Sequence, residues 1–337
     1  MKPARAALSI VAGILMAAAA SGQEPIPSLL SISSDPFLVG TLYRNPRTMV
    51  NGVAPDGAIS VNAEWEGDPS KKWFIEEQRY GADLIQMGLA TKSDKLIDEG
   101  IRAINWGFAH EGGGDFPGTG DPHHSISFFL EAAGRSVILL REAGDERHLA
   151  RLENWKRNIR NAAERFITPD TFPRDRSRSM DPYTHRFFLC AAALGQAGSV
   201  LNDQRFKRAA LEMAEAGLGR QEPDGTNPEK GGFDVNYQVV GAVFGIRYLL
   251  VCEDPGVRDQ LSRMITAALQ RERMAIGPGG NVDTQGSTRL TSEEGRSGHA
   301  KSMDYKMLAQ ALVFWADISG DGSCRDVAGA VARNRKW

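Results

Sequence analysis

Four of the six histidines in this chain stand at or just before the beginnings of predicted apolar helices. They are His123, His124, His185 and His299. Packing gives histidine no reason to concentrate at such positions, whereas a side chain that titrates near neutral pH can accept or donate a proton there. Tyrosine, arginine, lysine and asparagine accompany the histidines. This mixture of residue types suits the removal of a proton next to an anionic group, or the binding of an anion.

The candidate residues fall in four separate segments, and each segment leads into an apolar helix. The segments are GGGDFPGTGDPHHS, MDPYTHRF, PDGTNPEKGGFDVNYQ and TRLTSEEGRSGHAKSMDYK. The candidate site residues that they supply are His124, Tyr183, His185, Arg186, Lys230, Asn236, Tyr237, Gln238 and His299.

Several residues of these segments have an equally simple structural explanation. His123 could cap a helix, while Arg186 and Lys301 could be solvated surface charges. Tyr305 stands at helical spacing, which favours packing. Tyr237 begins a helix that is entered from glycines, and for this residue a function is favoured over packing.

The helices that must position these segments alternate in character. Apolar residues recur at helical spacing from Lys71 onward, between loops of Gly, Pro and Asp. The predicted helices are 73–90, 93–109, 125–143, 147–167, 184–201, 204–221, 235–252, 255–275 and 300–318. In each pair the first helix is apolar and the second is amphipathic, as in the inner and outer rings of a toroid. We predict an all-α fold, an incomplete (α/α) toroid of five to six hairpins; a flat solenoid of hairpins is the alternative.

The N-terminal region has the pattern of an export signal. Lys2 and Arg5 precede an apolar run at 6–20 that ends in small residues, so residues 1–22 are predicted to be a cleaved signal peptide, with an uncleaved anchor as the alternative. Residues 23–70 are predicted to form an extended N-terminal arm, and 71–337 the catalytic toroid. These boundaries predict a periplasmic or secreted protein without a membrane span after cleavage.

Composition narrows the classes of function. Hydrophobic residues make up 42% and charged residues 24%, which excludes wholesale disorder, and the net charge of −2 argues against a nucleic-acid partner. The three cysteines give no disulfide framework and lie outside any zinc-binding spacing. Neither a phosphate loop nor a nucleotide fingerprint is present. We therefore expect neither a metal nor a cofactor.

One part of the chain resembles a known family. Residues 183–250 are similar to the alginate-lyase branch of the polysaccharide lyases, which have an α/α-toroid fold. THRFFLCAAAL carries His185 where that family has an Asn-His pair, and EPDGTNPEKGGFDVNYQVVG carries its DG-x-x-P loop, then Lys230 and Tyr237. The chain departs from the family at Thr184, which replaces the asparagine, and at Lys230, which replaces an arginine and lacks its two-pronged guanidinium.

The resemblance implies β-elimination on a uronate-containing polysaccharide of the alginate or glucuronan type. Tyr237 would then be the acid, and also the base if a nearby cation lowers its pKa from about 10. His185 would be the base or would neutralise the uronate carboxylate. Lys230 and Arg186 would lower the tyrosine pKa or hold the anion. The remaining candidates would complete the substrate pocket, with an amide from Asn236 or Gln238 in place of the missing asparagine, and they include His124, Tyr183 and His299.

Two other classes of function remain open from the residues alone. A glycoside hydrolase needs paired carboxylates, and the loops contain Asp115, Asp121, Asp181, Glu229 and Asp234. A non-catalytic glycan-binding protein could instead stack sugars on exposed aromatic rings such as Trp65, Trp73 and Trp106.

Overall fold

The structure is a computed structural model that describes residues 26–50, 52–65, 68–144, 146–168, 180–290, 293 and 301–335. The predicted signal segment at 1–22 lies outside these residues. Within them, no helix combines the length and the apolar character that crossing a membrane requires.

The elements before the first long helix are short, and the sequence did not predict those that lie in the N-terminal arm. The elements are α1 (Leu29–Ser33), α2 (Pro36–Gly40), a 3₁₀ turn (Leu42–Arg44), α3 (Pro46–Met49), the antiparallel pair β1 (Glu64–Trp65) and β2 (Asp68–Lys72), and α4 (Phe74–Glu77). Local caps start two of them, since Ser28 Oγ accepts the Ser31 N–H at 3.1 Å and Asp35 Oδ1 accepts the Phe37 N–H at 2.8 Å. Helices of four or five residues are too short to show a hydrophobic period, so the sequence does not predict them within the arm.

Ten longer helices in the described part of the chain form five consecutive hairpins. They are α5 (Tyr80–Thr91), α6 (Asp94–Ala109), α7 (Pro122–Ala143), α8 (Glu146–Phe166), α9 (Thr184–Leu201), α10 (Gln204–Leu218), α11 (Val235–Leu249), α12 (Pro255–Arg273), α13 (Tyr305–Ser319) and α14 (Gly322–Arg335). The first helix of each hairpin packs against the first helix of the next, from α5 to α13. The predicted all-α toroid is thereby confirmed.

Helix boundaries differ from the prediction near the mouth of the ring, where α13 begins at Tyr305 instead of residue 300. The predicted helix 73–90 is divided into α4 and α5, and α7 begins at Pro122 instead of residue 125. Asp121 caps α7, because its Oδ1 accepts the His124 N–H at 3.3 Å, and proline at the first position suits a helix start. His123 and His124 therefore belong to the first turn of α7.

The N-terminal arm closes the gap between the last and the first inner helices. Helix α1 contacts α5, α7 and α13. The hydroxyl of Tyr43, which is almost fully buried, accepts hydrogen bonds from Gln86 of α5 at 2.8 Å and from Gln310 of α13 at 3.3 Å. A single side chain of the arm thus joins the two ends of the ring.

A buried polar layer crosses the axis of the ring below this junction. Arg135 of α7 donates to Asp83 of α5 at 2.8 Å and to Glu131 at 3.0 Å. Glu131 also lies 3.3 Å from Arg247 of α11 and accepts from Gln196 of α9 at 3.4 Å. With Tyr43 and its glutamines, this layer links all five inner helices.

Replacing Tyr43 by phenylalanine tests this closure. The change leaves the ring in place but removes the acceptor of two buried amide groups, so we expect a loss of about 1–3 kcal/mol in the free energy of unfolding. Urea titration followed by circular dichroism measures it. Tyr305→Phe is the matched control, because the Tyr305 hydroxyl has no hydrogen bond to the described residues; an equal loss in both variants would contradict the role of Tyr43.

Candidate active site

Backbone hydrogen bonds join the loops that precede α9, α11 and α13. The Thr184 N–H donates to Pro228 O at 3.3 Å, and the Lys230 N–H donates to Pro182 O at 2.6 Å. Thr288 Oγ1 donates to Glu229 O at 2.7 Å. Three segments that are far apart in the sequence thus form one surface at the mouth of the ring.

A buried histidine and a buried carboxyl group lie at the centre of this surface. Glu229 Oε1 accepts the backbone N–H of His185 at 2.9 Å and lies 2.8 Å from His185 Nδ1. His185 is 2% exposed and Glu229 is fully buried. Because Oε1 accepts both groups, we assign the ring proton to Nδ1, which leaves a lone pair on Nε2. Nε2 has no hydrogen bond to the described residues.

Burial keeps both members of this pair uncharged near neutral pH. It lowers the pKa of His185 well below the ordinary value, and the charges of Arg289 and Arg186 lower this pKa further. Burial also raises the pKa of Glu229 to about 8, against the opposing hydrogen bond from His185 and the charge of Arg289. The imidazole is therefore available to accept a proton, beside a carboxyl group that can stabilise the resulting cation.

Asp234 positions Tyr237 and Arg289 relative to each other. Its Oδ1 accepts the N–H groups of Asn236 at 3.1 Å and Tyr237 at 3.0 Å, at the start of α11. Its Oδ2 accepts the N–H groups of Arg289 at 2.8 Å and Leu290 at 3.1 Å. The guanidinium of Arg289 consequently lies 3.6 Å from the centre of the Tyr237 ring, which is itself 4.6 Å from the His185 ring.

The tyrosine keeps its proton in this environment. Burial raises the pKa of Tyr237, and the lowering effect of Arg289 does not outweigh it. The expectation that a neighbouring cation makes Tyr237 basic is therefore wrong for the free protein. A protonated tyrosine beside a neutral imidazole can act as an acid.

Cationic side chains outnumber ionised carboxylates around these rings in the described part of the chain. Glu293 accepts from Arg289 Nε at 3.0 Å and also pairs with Lys230 and Lys301. Burial opposes its ionisation, but these bonds and charges lower the pKa of Glu293 to about 2. The guanidinium of Arg186 lies 3.6 Å from Asp121. Among the described side chains, four cations thus face the three carboxylates of Glu293, Asp121 and Asp234, and the uncharged Glu229 lies 3.4 Å from Arg289, which leaves the described surface with an excess of positive charge.

Tyr183 lies among these cations. Its ring centre is 4.5 Å from the guanidinium of Arg186, 4.7 Å from that of Arg289 and 5.9 Å from Lys230 Nζ. Lys230 has a φ of 52°, a left-handed conformation that is strained for a residue with a side chain. The bond from its N–H to Pro182 holds this conformation and directs the lysine toward Glu293.

His124 lies on the neighbouring helix, α7, and its ring contacts the carboxylate of Glu76. Its Nδ1 is 3.1 Å from Glu76 Oε2, and Glu76 also pairs with Arg79 at 2.5 Å. The His124 ring packs edge-on against Trp73 and Phe128. Burial lowers the pKa of His124, although Glu76 opposes this effect.

Two predicted substrate-binding residues have structural contacts. Gln238 is fully buried: its Oε1 accepts the Asn227 N–H at 2.9 Å, and its Nε2 donates to Gly225 O at 2.7 Å and Ala268 O at 3.2 Å. These bonds occupy its amide, so Gln238 holds the loop and does not supply the missing asparagine. Asn236 Oδ1 accepts the Asp304 N–H at 2.8 Å. His299 lies outside the described residues.

Sequence reasoning underestimated Glu229 and Arg289. The resemblance placed the cation beside the tyrosine at Lys230, whereas the structure brings Arg289 from the loop before α13. Glu229 was considered only as a hydrolase carboxylate, and it contacts His185 instead. The concentration of charged residues in 289–301 was the available signal, although it did not indicate which of them faces Tyr237.

The carboxylates considered for hydrolysis are engaged elsewhere. Asp115 pairs with Arg165 at 2.9 Å, and Asp181 pairs with Arg220 at 3.0 Å. Asp234 accepts four backbone N–H groups. Within the described residues, no cluster of three His, Cys, Asp or Glu side chains has a metal-binding arrangement.

Comparison with known proteins supports the fold. No protein-family profile and no curated protein sequence matches the chain. A crystal structure of D-mannose isomerase is similar over 89% of this chain and 85% of that chain, with a TM-score of 0.53 and 11% sequence identity. At this identity the likeness shows that the two proteins share a fold.

The Glu229 carboxyl group should make stability depend on pH. Its pKa is raised to about 8 on folding, so between pH 4.5 and 8 the unfolded chain loses a proton that the folded chain keeps, and stability falls as pH rises. Glu229→Gln removes this loss. We expect the unfolding free energy of E229Q minus that of the wild type to become more positive from pH 5 to pH 8.

Urea titrations at several pH values measure this difference. Glu212→Gln, on the exposed face of α10, is the control and should follow the wild type. A constant difference between E229Q and the wild type across the range would contradict the raised pKa.

Proposed function

We propose that this protein is a polysaccharide lyase that cleaves a uronate-containing polymer by β-elimination. The observation that carries the proposal is the contact of a neutral imidazole, His185, with a protonated phenol, Tyr237, beneath an excess of cationic side chains. These are the groups that the reaction needs: a base, an acid and a site for a carboxylate.

The imidazole serves as the base. His185 Nε2 takes the proton on the carbon next to the uronate carboxylate, and the electron pair of that C–H bond forms the new carbon–carbon double bond. Glu229 at Nδ1 fixes the orientation of the ring and stabilises the imidazolium that results. The adjacent C–O bond to the next sugar breaks at the same time.

The phenol serves as the acid. Tyr237 donates its proton to the departing glycosidic oxygen, and the charge of Arg289 over its ring stabilises the phenolate that is left. The His185 ring, which has become an imidazolium, is adjacent to the Tyr237 ring and can return a proton to this phenolate through solvent. The pair is then ready for another cycle.

The cations supply the remaining requirement. The uronate carboxylate must be neutralised before its α-proton becomes acidic. Arg289 and Lys301 lie over the Tyr237 ring, and Arg186 lies over the neighbouring Tyr183 ring. A hydrolase would have no use for this set, and its carboxylates are engaged in other contacts.

An aldose–ketose isomerase is the second candidate. The fold shared with D-mannose isomerase favours it, and isomerisation also begins by removing a proton next to a carbonyl group. A neutral sugar, however, gives the cationic excess no partner. The lyase is therefore the better explanation of this site.

Assays of the purified protein separate the candidates. Lyase activity on polymannuronate, polyguluronate or glucuronan produces a conjugated double bond that absorbs in the ultraviolet, whereas D-mannose is the substrate to test for isomerisation. Ketose formation without ultraviolet absorbance would replace the lyase by the isomerase, and reducing ends alone would indicate hydrolysis. Binding without turnover would indicate a glycan-binding protein. Export to the periplasm or the medium belongs to this proposal, because such polymers lie outside the cell.

Tyr237→Phe tests the acid role directly. Loss of a positioned acid should lower kcat by at least about 100-fold while the fold is retained, because the ring and its contacts remain. Initial rates of ultraviolet absorbance measure the change. Tyr248→Phe, at the other end of α11, is the matched control and should keep the rate of the wild type; equal activity in Y237F and the wild type would remove Tyr237 from the mechanism.

A further inference from the structure

A cavity of about 490 Å³ lies at the centre of the ring, between the mouth and the polar layer. Its walls come from α5, α7, α11, α13 and the loop that precedes α13. They include Arg79, Tyr80, Phe128, Asn236, Tyr305 and Lys306. This volume falls within the range that small-molecule sites occupy.

The cavity is closed at its inner end. Asp83, Glu131 and Arg135 line it, and they are bonded to one another in the polar layer. Arg135 also donates to Gln86, which in turn donates to Tyr43. The arm and the polar layer together block the axis, so a polymer cannot pass through the ring.

The open end of the cavity adjoins the candidate active site. Asn236, which lines the cavity, immediately precedes Tyr237 in the first turn of α11. Phe128 lines the opposite wall and packs against His124, with ring centres 4.8 Å apart. The cavity therefore opens at the beginning of α11, the helix whose first turn carries Tyr237.

Two basic side chains of the cavity have polar groups without partners among the described residues. Lys306 Nζ has neither an ion pair nor a hydrogen bond there, and burial lowers its pKa. Arg247 is 4% exposed and its Nε has no acceptor. The Nη1 of Arg247 does pair with Glu131 at 3.3 Å, as Arg79 pairs with Glu76 and Arg135 with Glu131, so that Nε is the group left without an acceptor. The buried Nε–H of Arg247 is costly without an acceptor, which indicates that a ligand supplies one, and the half-buried ammonium of Lys306 is available to pair with an anionic group of that ligand.

We propose that this cavity binds the terminal uronate sugar of the polymer, with its carboxylate on Lys306 and an oxygen atom on Arg247 Nε. Because the inner end of the cavity is closed, the polysaccharide enters with one of its ends first. It is cut next to the cavity, so the enzyme removes short units from that end of the polysaccharide. The cutting mode rests on the proposed lyase function, whereas the binding of a uronate does not.

Binding of a single sugar tests the site without turnover. Calorimetry with D-glucuronate and D-mannuronate should show binding to the wild type, with D-mannose bound more weakly because it lacks the carboxylate. Lys306→Met should weaken uronate binding by about 10-fold or more, the usual effect of losing a charge-assisted hydrogen bond. Lys306→Arg should restore most of it, which separates charge loss from misfolding.

Lys156→Met provides the matched control, because Lys156 lies on the outer helix α8 and pairs with Glu153 at the surface. It should bind uronates as the wild type does. Uronate binding that K306M leaves unchanged, equal affinity for D-mannose, or no uronate binding to the wild type would each overturn the cavity site.

Product sizes test the direction of cutting. End-wise cleavage releases small unsaturated products from the start while the viscosity of the polymer falls slowly. A rapid fall in viscosity with products of mixed size would overturn end-wise cutting. If the wild type binds uronates through Lys306 but forms no unsaturated product on any polymer, the lyase proposal fails and the cavity site stands.

Discussion

The shared carboxylate of Glu131 is the contact on which the rest of the molecule depends. Glu131 is fully buried and lies between the guanidinium groups of Arg135 and Arg247. Arg135 also pairs with Asp83, so the layer contains two arginines and two carboxylates. Removing one member of such a buried pair typically costs about 3–5 kcal/mol, because its partner remains charged in a medium of low polarity. The inner helices that carry these groups are therefore fixed in both rotation and height. The positions of their first turns, and of the residues at the mouth, are fixed by the same contacts.

The mouth uses charge in the opposite way. In the polar layer each arginine pairs with at least one carboxylate, whereas in the described part of the mouth four cations around Tyr183 and Tyr237 face three carboxylates, Glu293, Asp121 and Asp234. Asp234 connects the mouth to the helix that carries Arg247 of the polar layer. Its carboxylate accepts backbone N–H groups from both α11 and the Arg289 loop. An excess of positive charge that is held so rigidly is unfavourable without an anion. It thus indicates an anionic ligand more directly than any single residue does.

The sequence predicted the ring because apolar and amphipathic helices alternate through most of the chain, and that pattern depends on local periodicity alone. It also brought His185, Lys230 and Tyr237 to one face, since the inner helices run in the same direction. It did not pair Glu229 with His185 or place Arg289 on Tyr237. These contacts join loops separated by more than forty residues, and local patterns contain no information about such distances. The short helices of the arm were not predicted for a local reason, because four or five residues are too few to show a hydrophobic period.

The two candidate functions proposed above, isomerisation and elimination, begin with the same chemical step. Both reactions remove a proton from a carbon next to a carbonyl or carboxyl group, for which a neutral imidazole with a carboxyl partner is suited. They differ in the second step, since isomerisation returns the proton to a neighbouring carbon whereas elimination expels an oxygen that must be protonated. A tyrosine whose pKa is raised by burial keeps the proton that this oxygen needs. In the proposed lyase, the cations beside it would stabilise both the uronate carboxylate and the phenolate that forms. The charges around Tyr237, and not the shape of the ring, therefore favour elimination.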